Sequence, residues 1–226
     1  MIIAIDGPAG AGKSTVAKIL AKRLGFLYVD TGSMYRAITL KALEKNININ
    51  DKKALVALAK NSQIELKNTP AGKLKVYLDG KDVTSSIRVS LITKFVSEVA
   101  RLKEIRKIMV RLQRNLAKDK DAVLEGRDIG TVVFPKADFK FYLDASFKER
   151  VRRRFKELKC MGQKITLKEI EKDIRRRDYI DSNRSYAPLK KAKDAFYLDT
   201  TKLSIEEVVE ELLKKISSRY GKRTYP

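Results

Sequence analysis

Residues 2–14 read IIAIDGPAGAGKS: an apolar run, a glycine-rich loop, and the first residues of a helical pattern. The loop satisfies G-x-x-x-x-G-K-[ST] through Gly7, Gly12, Lys13 and Ser14, and it stands between a strand pattern and a helix pattern, the context that this phosphate-binding motif requires. Glycines at 7, 10 and 12 let the backbone curl so that successive N–H groups surround phosphate oxygens. Lys13 then reaches the β- and γ-phosphates, the new helix adds its partial positive charge, and the Ser14 hydroxyl is placed to ligate Mg²⁺. Gly7, Pro8, Ala9, Gly10, Ala11, Gly12, Lys13, Ser14 and Thr15 are therefore the expected triphosphate site.

Further strand patterns occur at 26–30 (FLYVD), 122–126 (AVLEG), 139–145 (FKFYLDA) and 195–199 (AFYLD), each followed by a helical pattern. Residues 13–24 place Val16, Ile19, Leu20 and Leu24 on one face, and 33–45 and 204–218 behave alike. Such alternation predicts an α/β fold with a five-stranded parallel sheet covered by helices on both faces, and a ligand crevice at the carboxyl ends of the strands. Two stretches depart from it. Residues 64–83 hold three short β-patterned pieces joined by turn signals at 69–72 and Asp79-Gly80, which predicts a small antiparallel insertion. Residues 147–186 are almost wholly helical around a turn at 160–163 and carry Arg150, Arg152, Arg153, Arg154, Arg175, Arg176, Arg177 and Arg184. They predict an arginine-rich lid.

The 226 residues suit one domain, 43% hydrophobic and 35% charged, with disorder expected only in the tail GKRTYP. No leader pattern or long apolar run is visible, so a soluble, cytoplasmic protein without membrane contact is expected. Cys160 is the single cysteine and histidine is absent, which excludes an intramolecular disulfide, thiolate zinc sites and histidine-based nucleophile chemistry. The formal charge of +22 is spread over every segment, consistent with a solvated surface and an anionic small ligand. No requirement for nucleic acid is expected. An ATP-dependent nucleic-acid-binding protein is the rival that this charge suggests.

A phosphate cradle leaves the acceptor open. The N-K-x-D signature of GTPases is absent, and a kinase needs a second anion site facing the first. Three pieces offer one: Asp30 to Arg36 (DTGSMYR), Gly126 to Gly130 (GRDIG) and Asp181 to Arg184 (DSNR). By themselves these residues do not fix the acceptor, for which AMP, UMP and shikimate are among the candidates.

Together with GPAGAGKST, the insertion at 64–83, Gln113-Arg114, EGRDIGTVVFP at 125–135, FYLDA and the lid, these pieces resemble the bacterial cytidylate kinases of the nucleoside monophosphate kinase group over essentially the whole chain. The block at 126–135 is the most specific. The lid carries Asp181-Ser182-Asn183-Arg184 where some members have Asp-Arg-Asn-Arg; its flanking aspartate and arginine remain. The resemblance implies a P-loop kinase fold in one domain over 1–226, with a monophosphate-binding insertion at about 62–100 and a lid at about 150–186. It implies a monomer using Mg²⁺ and ATP to phosphorylate CMP or dCMP. Thr31, Arg36, Arg127, Asp181 and Arg184 would surround the ribose and phosphate of CMP, and Ser97, Arg106 and Asp128 would face the cytosine. Cytosine presents an N4 donor beside N3 and O2 acceptors, so a carboxylate and hydroxyl opposite a guanidinium match it. Lys13, Arg127, Arg177 and Arg184 are the expected catalytic cations, with Arg153 on the ATP side. An acceptor phosphate is already anionic, so no general base is needed.

Overall fold

The computed structural model describes residues 1–69, 73–160 and 162–220. The turn expected at 70–72, Met161 of the lid turn and the tail 221–226 lie outside the described residues. In chain order the elements are β1 (Ile2–Asp6), α1 (Lys13–Leu24), β2 (Leu27–Asp30), α2 (Thr31–Glu44), α3 (Lys52–Lys60), β3 (Ile64–Asn68), β4 (Leu74–Leu78), β5 (Lys81–Asp82), α4 (Ser90–Ala100) and α5 (Lys103–Leu116). There follow β6 (Ala122–Gly126), a π-helical turn (Ile129–Val133), β7 (Phe139–Asp144), α6 (Phe147–Cys160), α7 (Leu167–Asn183), β8 (Phe196–Asp199) and α8 (Ile205–Tyr220).

Five parallel strands form the main sheet in the order β2-β6-β1-β7-β8, as the alternating pattern predicts. One face packs Ile3, Ile5, Phe141 and Leu143 against Leu20, Val209 and Leu212 of α1 and α8. The other packs Ala4, Val29 and Leu124 against Val110, Ile129 and Val133. Apolar residues point both ways from β1, β2 and β6, where both faces are covered, whereas β7 and β8 send theirs to the α1 and α8 side alone. The register pairs Asp6 with Gly126 and Asp30 with Glu125, which sets three carboxylates at the carboxyl edge of neighbouring strands.

The antiparallel insertion is also present, in the order β3-β4-β5. Its second hairpin turns on Asp79 and Gly80, both at positive φ (49° and 80°), the two-residue geometry that an Asp-Gly pair favours. The insertion shares a core with more chain than 62–100. Ile38, Leu55, Val76, Ile92, Ile105 and Met109 bring α2, α3 and α5 into the same cluster. The α3 helix has no counterpart among the sequence expectations, although Asp51 caps it through Ala54 N–H at 3.0 Å. The lid is a helical pair with its own apolar seam of Val151, Leu158, Ile170 and Ile174. A reciprocal Thr166–Glu169 capping box starts its second helix.

Candidate active site

The phosphate loop leaves β1 and enters α1, whose N-cap is Gly12. Two glycines are needed for a reason that the motif does not give. A Cβ on Gly7 would lie 1.9 Å from the Leu143 carbonyl oxygen of β7, and one on Gly10 would lie 2.9 Å from the Arg150 carbonyl oxygen of α6. At these positions glycine lets the loop press against the sheet and the lid, rather than against a phosphate. Gly7 and Pro8 accordingly stand behind the cleft wall, which starts at Ala9.

Lys13 is buried, and its Nζ donates to the Pro8 carbonyl at 2.6 Å. Burial, and then the charges of Arg127 and Arg177, lower its pKa to about 7 against the partial opposition of Glu125 and Asp6. Ser14 Oγ donates to Glu125 Oε1 at 2.6 Å. Burial and the neighbouring Asp30 raise the Glu125 pKa. These groups open on a cleft of about 660 Å³ lined by the loop from Ala9 to Thr15, by Arg36, Arg88, Glu125 and Arg127, and from the lid by Arg152, Arg153, Arg154 and Arg177. The cations crowd one another. Burial and the charges of Arg177, Arg88 and Arg154 pull Arg36 down to about 9, and burial with Arg127 lowers Arg177. Such a field favours an anionic occupant.

Beside the cleft runs a buried chain of alternating charge. Arg106 Nη2 lies 2.5 Å from Asp128 Oδ1, and Arg184 lies 3.8 Å from that same oxygen and 3.6 Å from Asp181. Asp181 also accepts from Arg127 Nε at 2.9 Å. Asp128 Oδ2, Arg106 Nε and Arg184 Nη2 are buried without a hydrogen-bond partner among the described residues. Leaving a carboxylate oxygen and guanidinium nitrogens unsatisfied is costly, so the arrangement suits a polar ligand that completes both. The turn after Asp128 is held from below: Asp6 accepts from Ile129 N–H and Gly130 N–H, both at 2.8 Å.

The expected residues thus fall into two neighbouring groups. Ala9 to Thr15, Arg36, Arg127, Arg153 and Arg177 share the cleft, whereas Arg106, Asp128, Asp181 and Arg184 form the buried chain. Thr31 Oγ1 donates to the Glu125 carbonyl at 2.7 Å, tying α2 to β6. Ser97 is buried on α4, where its carbonyl accepts from Arg101 N–H. Arg36 donates to the Ile87 carbonyl and Thr93 Oγ1, both at 3.0 Å. Arg153 is held by Glu149 and Thr200. The lid arginines diverge: Arg152 pairs with Glu149 while exposed, and Arg175 lies 4.1 Å over the Phe147 ring. Sequence reasoning assigns no role to Asp6, Glu125 or Arg88, and names Asp30 only as the start of a stretch offered for the second anion site. The available signal was their position, since three are acidic residues at strand ends that border the quoted motifs.

The family profile for cytidylate kinase matches residues 3–218. A cytidylate kinase of Geobacillus sp. (strain WCH70) is 52% identical over 97% of this chain and 97% of its own length. One from Clostridioides difficile (strain 630) is 50% identical over 96% and 98% respectively. Among solved structures, an uncharacterized protein from Eubacterium ventriosum aligns over 97% of this chain and 99% of its own with a TM-score of 0.54 at 15% identity, a likeness of fold alone.

Proposed function

The chain belongs to the cytidylate kinase family, and from that membership we propose a division of labour within its cleft. The enzyme transfers the γ-phosphoryl group of ATP to CMP or dCMP, giving ADP and CDP or dCDP, a step of pyrimidine nucleotide metabolism. Ala9 to Thr15, with Arg153, hold ATP, while Gly7 and Pro8, expected in that site, shape the loop from behind the cleft wall. Thr31, Arg36, Arg127, Asp181 and Arg184 hold the ribose and phosphate of CMP, while Ser97, Arg106 and Asp128 read its base. The observation that carries this reading is the Arg106–Asp128–Arg184 chain, whose buried unsatisfied atoms belong to a charge network joined through Asp181 to Arg127 of the cation-lined cleft.

The chemistry asks for in-line positioning and positive charge around the transferred group. Lys13, Arg127 and Arg177 supply charge from three directions, and Arg184 orients Asp128 and Asp181. No side chain must remove a proton, because the attacking phosphate oxygen is already anionic. Ser14 Oγ and the Glu125 carboxylate make an all-oxygen donor pair of the kind a hard cation prefers. No cluster of three acidic, histidine or cysteine side chains forms a full cage among the described residues, so Mg²⁺ would share Ser14 with the phosphates of ATP. When bound, the ion would supply neutralising charge to the phosphoryl groups of ATP.

The protein acts as a single-domain monomer in the cytoplasm, with the insertion and the lid as its movable parts and without a nucleic-acid partner. Among the described residues no helix is long and apolar enough to cross a membrane. A coupled assay with ATP and each of CMP, dCMP, UMP and AMP tests the assignment. CMP and dCMP should turn over far faster than the others; equal use of AMP would refute the base-reading roles.

A further inference from the structure

We infer that Arg150 and Asp178 form a latch that ties lid closure to the shape of the phosphate loop, with Asp178 as a positioning residue for phosphoryl transfer. Arg150 lies in the first turns of α6 and is 8% exposed. Its Nε donates to the Ala145 carbonyl at 3.1 Å, at the corner where β7 enters the lid, and its Nη1 donates to the Ala9 carbonyl at 3.0 Å. Nη1 also meets Asp178 Oδ2 of α7 at 2.6 Å. The other oxygen of Asp178 accepts from the Ala9 N–H at 3.4 Å. Both backbone polar groups of one loop residue are therefore taken by one ion pair, whose two members come from the two lid helices.

The two partners arrive differently. Arg150 is bound to its own strand-helix corner, and its backbone presses on Gly10, so it belongs to the core side of the contact. Asp178 comes with α7, which packs on α6 through the lid's separate apolar seam. On α7 the preceding residue, Arg177, faces the cleft, and Asp181 holds Arg127. When α7 docks so that Asp178 reaches Ala9, Arg177 and Arg127 are in place by the same movement. Stability alone does not require such a pair, because a buried ion pair contributes little net stability compared with apolar residues of similar volume. What it supplies is simultaneity. The Ala9 N–H is held by Asp178 only while α7, and with it Arg177, is docked, and by linkage ATP on the loop favours docking of α7.

This inference rests on the phosphotransferase reading above, so wild-type turnover of ATP with CMP is measured first; its absence would refute that reading and leave the latch untouched. Asp178→Asn, Arg150→Met and the double variant are then compared. Asp178→Asn keeps shape and one acceptor, and it should lower kcat about 10-fold or more while the KM for CMP holds, since the loss is one of alignment. The double variant should fall no further than the worse single variant, the signature of one coupled unit. Exchange of the Ala9 amide with solvent in the ATP-bound enzyme should speed up in Asp178→Asn. Should Arg150→Met fail to fold, Asp178→Asn with the exchange rate still decides. An unchanged kcat, an unchanged exchange rate, or losses that multiply in the double variant would each overturn the latch.

Discussion

Arg106 Nη2 sits 2.5 Å from Asp128 Oδ1, with the two side chains 2% and 5% exposed, so the pair that the base-reading argument needs is also a buried ion pair of the native fold. That double role changes what a deletion would do. From the sequence, Asp128 is a selectivity residue only. In the structure, its removal also strands Arg106 and Arg184 without their shared carboxylate.

Asp128→Ala should therefore lose about 3 kcal/mol or more of stability, the cost of an uncompensated buried charge. Asp128→Asn keeps the volume and separates the effects. Its amide can donate where the carboxylate accepts from cytosine N4, so the CMP over UMP ratio in kcat/KM should collapse by about 10-fold or more. Steady-state kinetics on both acceptors checks it. If CMP and UMP decline by one common factor, Asp128 positions Arg106 and Arg184 and does not read the base.

Lys13 should make ATP binding proton-linked. Its pKa is lowered to about 7 by burial and by Arg127 and Arg177, from 10.5 in an unfolded chain, so at pH 8 the free enzyme holds it largely neutral. Polyphosphate beside Nζ raises that pKa again. Binding at pH 8 should then take up a large fraction of a proton through Lys13, and at pH 6 almost none. Calorimetry in buffers of different ionisation enthalpy measures the uptake, which Lys13→Met should abolish. Binding at pH 8 without uptake would mean that Lys13 is already charged.

Asp6 carries the opposite signature. Burial raises its pKa to about 6 from 3.8, with the Ile129 and Gly130 N–H groups opposing. The folded state therefore binds the proton more tightly, and Asp6 stabilises the fold most below pH 3.8; this contribution is lost as pH rises through 6. The span corresponds to the order of 3 kcal/mol. Asp6→Asn should flatten the stability profile of the wild type between those pH values, as chemical denaturation at several pH values would reveal. The same variant offers an amide NH₂ to one of two backbone donors, so the turn after Asp128 should shift and CMP turnover should fall. Parallel profiles for the two proteins would exclude Asp6 as the titrating group.

Much of this molecule is legible in sequence where one local pattern suffices. The strands are short apolar runs, the loop is a motif in context, and Asp79-Gly80 dictates its own turn. What escaped depends on register and on helix face. Asp6 and Glu125 matter because the sheet aligns them with Gly126 and Asp30, an alignment that no single strand encodes. Arg150 and Arg152 stand two residues apart in one arginine run, yet one is buried against Ala9 and the other pairs with Glu149 in solvent. A run of like residues on a helix does not declare which member meets a loop 141 positions away. The width of the second core escaped for a similar reason, since α3 and α5 meet across β-rich chain lying between them.

Arg177 and Arg184, alike in the sequence as expected catalytic cations of the lid, are separated by their surroundings. Arg177 stands among the cations Arg127 and Arg154 and the carboxylates Asp173 and Asp181, its ion pair with Asp173 is long at 3.8 Å, and its Nε has no partner among the described residues. Arg177→Ala should remove repulsion from Arg127, leaving the thermal midpoint unchanged or higher, while kcat falls about 100-fold for want of charge at the transferred group. Arg184 instead donates from Nε to the Ala187 carbonyl at 2.6 Å, holding a non-glycine residue at φ 52°, and it approaches both Asp128 and Asp181. Arg184→Ala should lose about 3 kcal/mol of stability together with its activity, since two buried carboxylates lose a partner and a strained turn loses its tie. Thermal melts beside kcat/KM for ATP and CMP distinguish the two variants. If Arg177→Ala melts as early as Arg184→Ala, the Arg177 guanidinium holds the fold together, and its assignment to phosphoryl transfer would have to be abandoned.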